Sequence, residues 1–459
     1  MKPTGSLLVA SLLAGAACAV TPLRADVATH GSLTAEVKAT DGADRVRRRG
    51  RSQPQVVLFE ARAVRAIDPR TAKESWVRSM AVNGHGAVTA DLVLVPVVGP
   101  RLVALDRRNG EVVWLADLPG EVVVGMGASD RYAAIAMAGR RFRFQREDFG
   151  RIVLVDLADG TVRWARRSRA RLGTPAVRGP RVFVPVGPSV VALSVRTGRE
   201  VARAGVPVEP RRVEVARGAV LAGSGRAWVD LESARYRRIG VSGADAAVLP
   251  SEVLDLGPAD DERLRWWVRA TEDGSTPREG VLLARGAVVA VRFDGEGRPD
   301  RIHWIHNARD PFEYVAMHVG RRRVVLVRED GAIVQLDTAD GSEVDAIAGG
   351  PPVRGALFAD LDPDDAPVRL TRPDADKVLA RARGLLARND PRLLPAQRLV
   401  LETLWRDETA RHRSVVTELA HGVPPVPGAR VDGALRQVAL DLVARPWGKG
   451  GVEARRELA

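Results

Sequence analysis

The chain has 459 residues, a length suited to about three ordinary domains or to one repeat architecture with an appendage. Apolar residues at 45% and charged residues at 28% describe a globular protein with a sizeable core and exclude wholesale disorder. A single cysteine excludes a disulfide framework and a cysteine-ligated zinc site, and beyond the N-terminus no uncharged run reaches the ~18 residues of a membrane span. The formal net charge of +13 comes from 70 basic residues, of which five are lysine and 65 arginine. Such uniformity, alongside abundant Ala, Gly, Val and Pro, reads as coding bias as much as selection for charge. No nucleic-acid-binding motif accompanies it, so no nucleic-acid partner is expected.

Residues 1–25 have the parts of an export signal: Lys2, an uncharged stretch from Ser6 to Val20, then a short polar region. Two processing routes stay open. Cleavage follows Ala19 or Ala25, or else Cys18, after Gly15-Ala16-Ala17, is the lipid-modified first residue of a lipoprotein. The lipobox leucine expected three positions before the cysteine is missing. Residues 26–54 are polar and carry a basic cluster from Arg45 to Arg51, which reads as a solvated linker.

From about residue 55 one phrase recurs: two or three apolar residues, Asp, three residues, a small residue, three more, then Trp. It reads Ala66-Ile67-Asp68 with Ala72 and Trp76, then Ala104-Leu105-Asp106 with Gly110 and Trp114, then Leu154-Val155-Asp156 with Gly160 and Trp164. Every Asp-to-Trp interval is eight residues. Weaker copies follow at Ser194 with Gly198, Asp230, Asp294 leading to Trp304, and Asp337 with Gly341, where Asp345 stands in the Trp position. The seven anchors are spaced by 38, 50, 38, 36, 64 and 43 residues, mostly the period of a four-stranded propeller blade. Physically the phrase is a β-hairpin. The Asp carboxylate accepts backbone N–H groups in the turn, Gly supplies a positive φ, and Trp covers the gap to a neighbouring blade.

The segment Leu102–Trp114 and its copies resemble the repeat of the pyrroloquinoline-quinone (PQQ) type propellers, over roughly residues 55–350. That family includes quinoprotein alcohol dehydrogenases and the propeller lipoprotein of the outer-membrane β-barrel assembly machinery. The resemblance implies an all-β propeller of seven to eight four-stranded blades. For the enzymes it further implies a quinone stacked between Trp and a disulfide of adjacent cysteines, with Ca²⁺ held by Glu, Asn and Asp. Soluble sugar-oxidising members dispense with the disulfide. This chain has no cysteine after Cys18 and only four asparagines, one of them Asn109 in a motif turn.

Other constellations give no reaction centre. Trp266 and Trp267 are adjacent, so on a strand they face opposite sides. His303 and His306, with His318 nearby, are three residues apart and likewise diverge on a strand. Asp360, Asp362, Asp364 and Asp365 open like a calcium loop but lack its Gly and closing Glu, Thr371 standing at the twelfth position. After Thr371 the pattern turns helical: Val378, Leu379, Ala382, Leu385 and Leu386 share one face behind Asp374 as N-cap. Further helices are expected over 393–406, 414–421 and 431–445.

The expectation is therefore an export signal (1–25), a linker (26–54), a PQQ-like propeller (55–370) and a small α-helical domain (371–459), which either stands alone or caps the propeller. No catalytic, cofactor-binding or metal residue is assigned and no cofactor is expected. The protein is read as a non-catalytic scaffold for envelope or outer-membrane proteins, extracytoplasmic, with Cys18 as the candidate membrane anchor. The alternative is a ligand-sensing propeller or a quinone-dependent dehydrogenase.

Overall fold

In a computed structural model, the described residues are 53–444, except 120–121, 139–149, 206–212, 217–218, 223–226, 231–235, 239–264, 269–278, 285, 295–298, 309–311, 321, 362–369, 371–373 and 408–409. The export signal, Cys18 and the basic cluster lie outside them, as do Asp362, Asp364, Asp365 and Thr371.

Among the described residues, seven antiparallel four-stranded sheets follow one another along the chain. From the innermost strand outward, blade 2 is Ala87–Val88, Leu92–Val97, Arg101–Asp106 and Val112–Asp117. Blade 3 is Val122–Ala128, Tyr132–Ala138, Gly150–Asp156 and Val162–Ser168. Blade 4 is Ala176–Arg178, Arg181–Val186, Ser189–Ser194 and Glu200–Gly205; blade 5 is Val213–Ala216, Ala219–Ala222, Ala227–Asp230 and Tyr236–Arg238. Blade 6 is Arg265–Val268, Glu279–Ala284, Ala287–Phe293 and Pro299–Asn307; blade 7 is Tyr314–Val319, Arg323–Arg328, Ile333–Asp337 and Glu343–Ile347. Blade 1 is shared between the two ends of the propeller: Gln55–Glu60, Ala63–Asp68 and Lys73–Ser79 are joined on the inside by Val353–Ala359. Innermost strands touch in succession from blade 6 through blades 7 and 1 to blade 5. The seven sheets are thus those of a propeller, one for each anchor read from the sequence.

Burial explains the strand sequences. The two middle strands of a blade have neighbouring blades on both faces, so Leu92–Val97 and Arg101–Asp106 each bury four consecutive residues and read as near-continuous apolar runs. Outer strands meet solvent, and Lys73–Ser79 buries only Trp76. Among the described residues, the interfaces of blades 1 to 4 and of blades 6, 7 and 1 are each one apolar cluster. Blades 1 and 2 share Phe59, Val64 and Trp76 with Val93, Val103 and Leu105; blades 2 and 3 share Leu94 and Trp114 with Ile135, Met137 and Val153. Blade 6 packs Val281, Val288 and Trp304 on blade 7.

The opposite face of blade 6 is covered by helices. These are α1 (Ala375–Leu386), α2 (Leu394–Arg406), α3 (Ala410–Ala420) and α4 (Gly433–Ala444). Asp374 caps α1 by accepting from Lys377 N at 3.2 Å, and the buried residues of α1 are Val378, Ala382, Leu385 and Leu386. Leu282, Val289, Val291, Ile302 and Ile305 of blade 6 form one cluster with Leu385, Leu399, Val400, Val416 and Leu442. Arg381 donates to the Ile305 carbonyl at 2.9 Å and Arg392 pairs with Glu313, fixing the docking. Helices therefore stand on blade 6 where a preceding blade stands on the others.

A shared core predicts shared unfolding. Leu399→Ala, at a fully buried position, is expected to cost about 2–5 kcal/mol and to lower the helical and strand signals of circular dichroism at one common temperature. Two well-separated transitions would show that the helices fold apart from blade 6.

Candidate functional site

The motif residues converge on the seams between blades. Trp76 Nε1 donates to the Arg107 carbonyl at 2.7 Å, Trp114 Nε1 to Leu157 at 2.9 Å, Trp164 Nε1 to Val195 at 2.7 Å and Trp304 Nε1 to Thr338 at 2.9 Å. In every case the acceptor follows the anchor residue of the next blade: Asp106, Asp156, Ser194 or Asp337. Each indole lies on the glycine three positions further on. A Cβ built on Gly110 would meet Trp76 at 2.6 Å, and one on Gly160, Gly198 or Gly341 would meet Trp114, Trp164 or Trp304 at 2.5–2.8 Å. These glycines have φ of 69°, 76°, 66° and 68°, the left-handed region that favours glycine.

The anchor aspartates hold the turns. Asp68 Oδ1 accepts from Arg70 N at 2.9 Å, Asp106 from Arg108 N at 2.8 Å, Asp156 from Ala158 N at 3.1 Å and Asp337 from Ala339 N at 2.8 Å. The glycine N–H closes each turn onto the anchor carbonyl, as from Gly110 to Asp106 at 2.8 Å and Gly341 to Asp337 at 2.9 Å. In six blades the ladder slips by one residue immediately after the position opposite the Trp site, for example between Ala104 and Leu105 opposite Trp114. This bulge sets the twist that swings the indole toward the next blade.

Two positions depart from the sequence reading. Trp304 pairs with Ala290, so the register equivalent of the anchor is Arg292 and not Asp294. A second bulge between Arg292 and Phe293 shifts the count. At the seam of blades 7 and 1, Trp is replaced by Asp345 and Gly by Ala72, which nonetheless adopts φ 58°. Here Gln335, paired across the ladder with Asp345, donates its Nε2 to the Pro69 carbonyl at 2.6 Å. A side-chain amide reaches the backbone acceptor that an indole reaches elsewhere. Nothing in the spacing of the motif marks Gln335.

The other sequence candidates are dispersed. Trp266 and Trp267 pair with Leu282 and Val281, which lie on opposite faces of blade 6. His306 is hydrogen-bonded to Tyr314 Oη at 2.9 Å, and His318 stacks obliquely on Phe358 at 5.6 Å. Among the described residues no group of three metal-ligating side chains forms. Asp360, at φ 48°, pairs with the buried Arg107 and ties the chain after its last strand to blade 2. A pocket of about 270 Å³ opens at the seam of blades 6 and 7, lined by His306, Tyr314, Arg328, Val334, Glu343 and Ile347. Arg328 is held by Asp330, whose carboxyl it keeps below its ordinary pKa by direct hydrogen bonding.

The seam geometry sets two expectations. Gly160→Ala is expected to lower the melting temperature, because it adds a Cβ at 2.7 Å from Trp114 on a positive-φ backbone. Trp114→Ala is expected to cost about 3–5 kcal/mol in denaturant unfolding. Asp345→Trp alone is expected to give no gain, because the Ala72 methyl fills the indole site; combined with Ala72→Gly it is expected to stabilise. A double-mutant cycle with additive effects would show that the two positions are not coupled.

Residues 60–228 match the family model described as outer membrane protein assembly factor BamB, of the PQQ repeat type. No curated protein sequence matches the chain. Among solved structures, the chain is similar to dihydro-heme d1 dehydrogenase NirN in complex with DHE, with 16% identity over 66% of this chain and 74% of that one and a TM-score of 0.43. It is similar to BamB from Moraxella catarrhalis, with 14% identity over 65% and 84% and a TM-score of 0.38. It is also similar to the C-terminal WD40 domain of Sif2, with 9% identity over 67% and 84% and a TM-score of 0.41. Residues 60–228, which build the first three seams, therefore carry the PQQ-like propeller repeat of the BamB-type family.

Proposed function

We propose that this chain is an exported, non-catalytic propeller that binds partner proteins in the cell envelope through the loops at its blade ends, in outer-membrane protein assembly. The observation that carries this reading is the match of residues 60–228 to the BamB-type repeat, whose description names that process. The use of the motif residues agrees with it. Trp76, Trp114, Trp164 and Trp304 are engaged on glycines at the seams, where they serve the packing of the blades. A rigid succession of packed blades leaves its connecting loops free to vary in sequence, which suits recognition. The extracytoplasmic location rests on the family description and on the signal-like residues 1–25, with Cys18 as the proposed anchor.

Affinity capture of the tagged full chain from envelope membranes, after cross-linking, tests the scaffold reading. A stoichiometric envelope protein is expected, and substituting the exposed Arg108 or Ala158 in the blade-end turns is expected to reduce its recovery without lowering the melting temperature. Recovery of no partner, together with a rise in melting temperature on adding pyrroloquinoline quinone and Ca²⁺, would turn the reading to a quinone enzyme. Intact mass tests the address: loss of residues 1–19 or 1–25, or a chain starting at an acylated Cys18, is expected, and retention of Met1 would refute export.

A further inference from the structure

The positive charge of the chain is concentrated. Blades 1 and 2, residues 54–117, carry eight basic side chains against seven carboxylates. Residues 161–204, the outer strand of blade 3 and the whole of blade 4, carry ten arginines against one carboxylate, Glu200. Arg163 is engaged by Asp156 and Arg203 by Glu200. Arg166 donates to the Gly198 carbonyl. Arg167, Arg169 and Arg171 are exposed and form no ion pair with any described residue.

Those three arginines stand together at one end of the seam between blades 3 and 4. Arg167 lies opposite Arg151 in the ladder, which adds a further positive charge. A turn closed by Ser168, whose Oγ donates to the Ala170 carbonyl at 2.9 Å, carries the chain to Arg171. The Arg171 carbonyl accepts from Gly187 N at 2.9 Å, in the hairpin of blade 4.

The chemistry selects among polyanions. Nucleic-acid strands bound without sequence preference are gripped by exposed aromatic rings as well as by charge. The aromatic residues of this stretch are Trp164, fixed on Gly198, and Phe183, which is buried. What remains exposed is a cluster of guanidinium groups separated in sequence by Ser168 and Ala170, which suits a layer of anionic phosphate headgroups. We propose that the seam of blades 3 and 4, through Arg167, Arg169 and Arg171, docks on an anionic phospholipid bilayer.

The test is co-sedimentation of the exported chain carrying Cys18→Ser, so that no acyl chain contributes, with phosphatidylcholine vesicles with and without phosphatidylglycerol. Binding is expected only with phosphatidylglycerol, and high salt should abolish it. The variant R167Q/R169Q/R171Q should bind about a hundredfold more weakly, near fivefold per arginine, at unchanged melting temperature. R178Q/R196Q/R199Q, at the other end of blade 4, should bind as the parent does. Equal binding by the parent and R167Q/R169Q/R171Q would overturn the proposal. So would equal losses in both triple variants, or a preference for polyglutamate or single-stranded DNA over the vesicles. Loss of lipid binding with protein capture intact would separate this surface from the scaffold reading.

Discussion

An indole lying flat on a glycine, with its N–H on a carbonyl three residues earlier, sets the spacing of the propeller. Two local conditions recur at all four indole seams, and a third, the anchor carboxylate, at three of them, Ser194 standing at the fourth. The anchor carboxylate gathers the turn, the glycine offers a left-handed backbone with no side chain, and the bulge opposite the tryptophan turns the ring outward from its own blade. The hydrogen bond satisfies a polar group that burial would otherwise leave costly. The apolar clusters between blades fill in around this fixed distance, which is why the middle strands tolerate almost any run of Val, Leu, Ile and Ala.

That locality made much of the fold legible. Asp106, Gly110 and Trp114 lie within nine residues, and each reports a condition of its own hairpin, so three copies suffice to announce the repeat. Asp374 and the face from Val378 to Leu386 disclosed a helix for the same reason. What stayed hidden is set by contacts distant in sequence. Gln335 replaces an indole because it meets Pro69, 266 positions away. Arg292 takes the anchor position of blade 6 because a second bulge alters the count, and bulges leave no mark in hydrophobic periodicity. The place of the helices was equally unreadable. An amphipathic helix shows that it covers an apolar surface, and its sequence does not say which one.

The composition also misled by averaging. A net charge taken over the whole chain looks like background, and arginine bias strengthens that impression. Placed on the blades, the same residues separate into nearly balanced surfaces on blades 1 and 2 and a strongly positive one on blades 3 and 4. The scaffold reading and the lipid-docking reading concern different parts of the propeller, with protein partners met at the loops and a bilayer met at a side seam. Together they describe a body held against a surface with its ends left open.

Blade 1 takes its inner strand, Val353–Ala359, from the far end of the propeller. A chain that emerges N-terminus first holds Gln55–Glu60 with one row of backbone hydrogen-bonding groups unmet while nearly 300 further residues appear. Blades 2, 3 and 4 draw all their strands from nearby sequence and are free to form in that interval. Maturation is therefore vectorial in its middle and simultaneous at its ends: the first residues of the ring to be made are among the last to be completed. An arrested or truncated product lacking Val353–Ala359 would leave the edge of Gln55–Glu60 open to pairing with another chain.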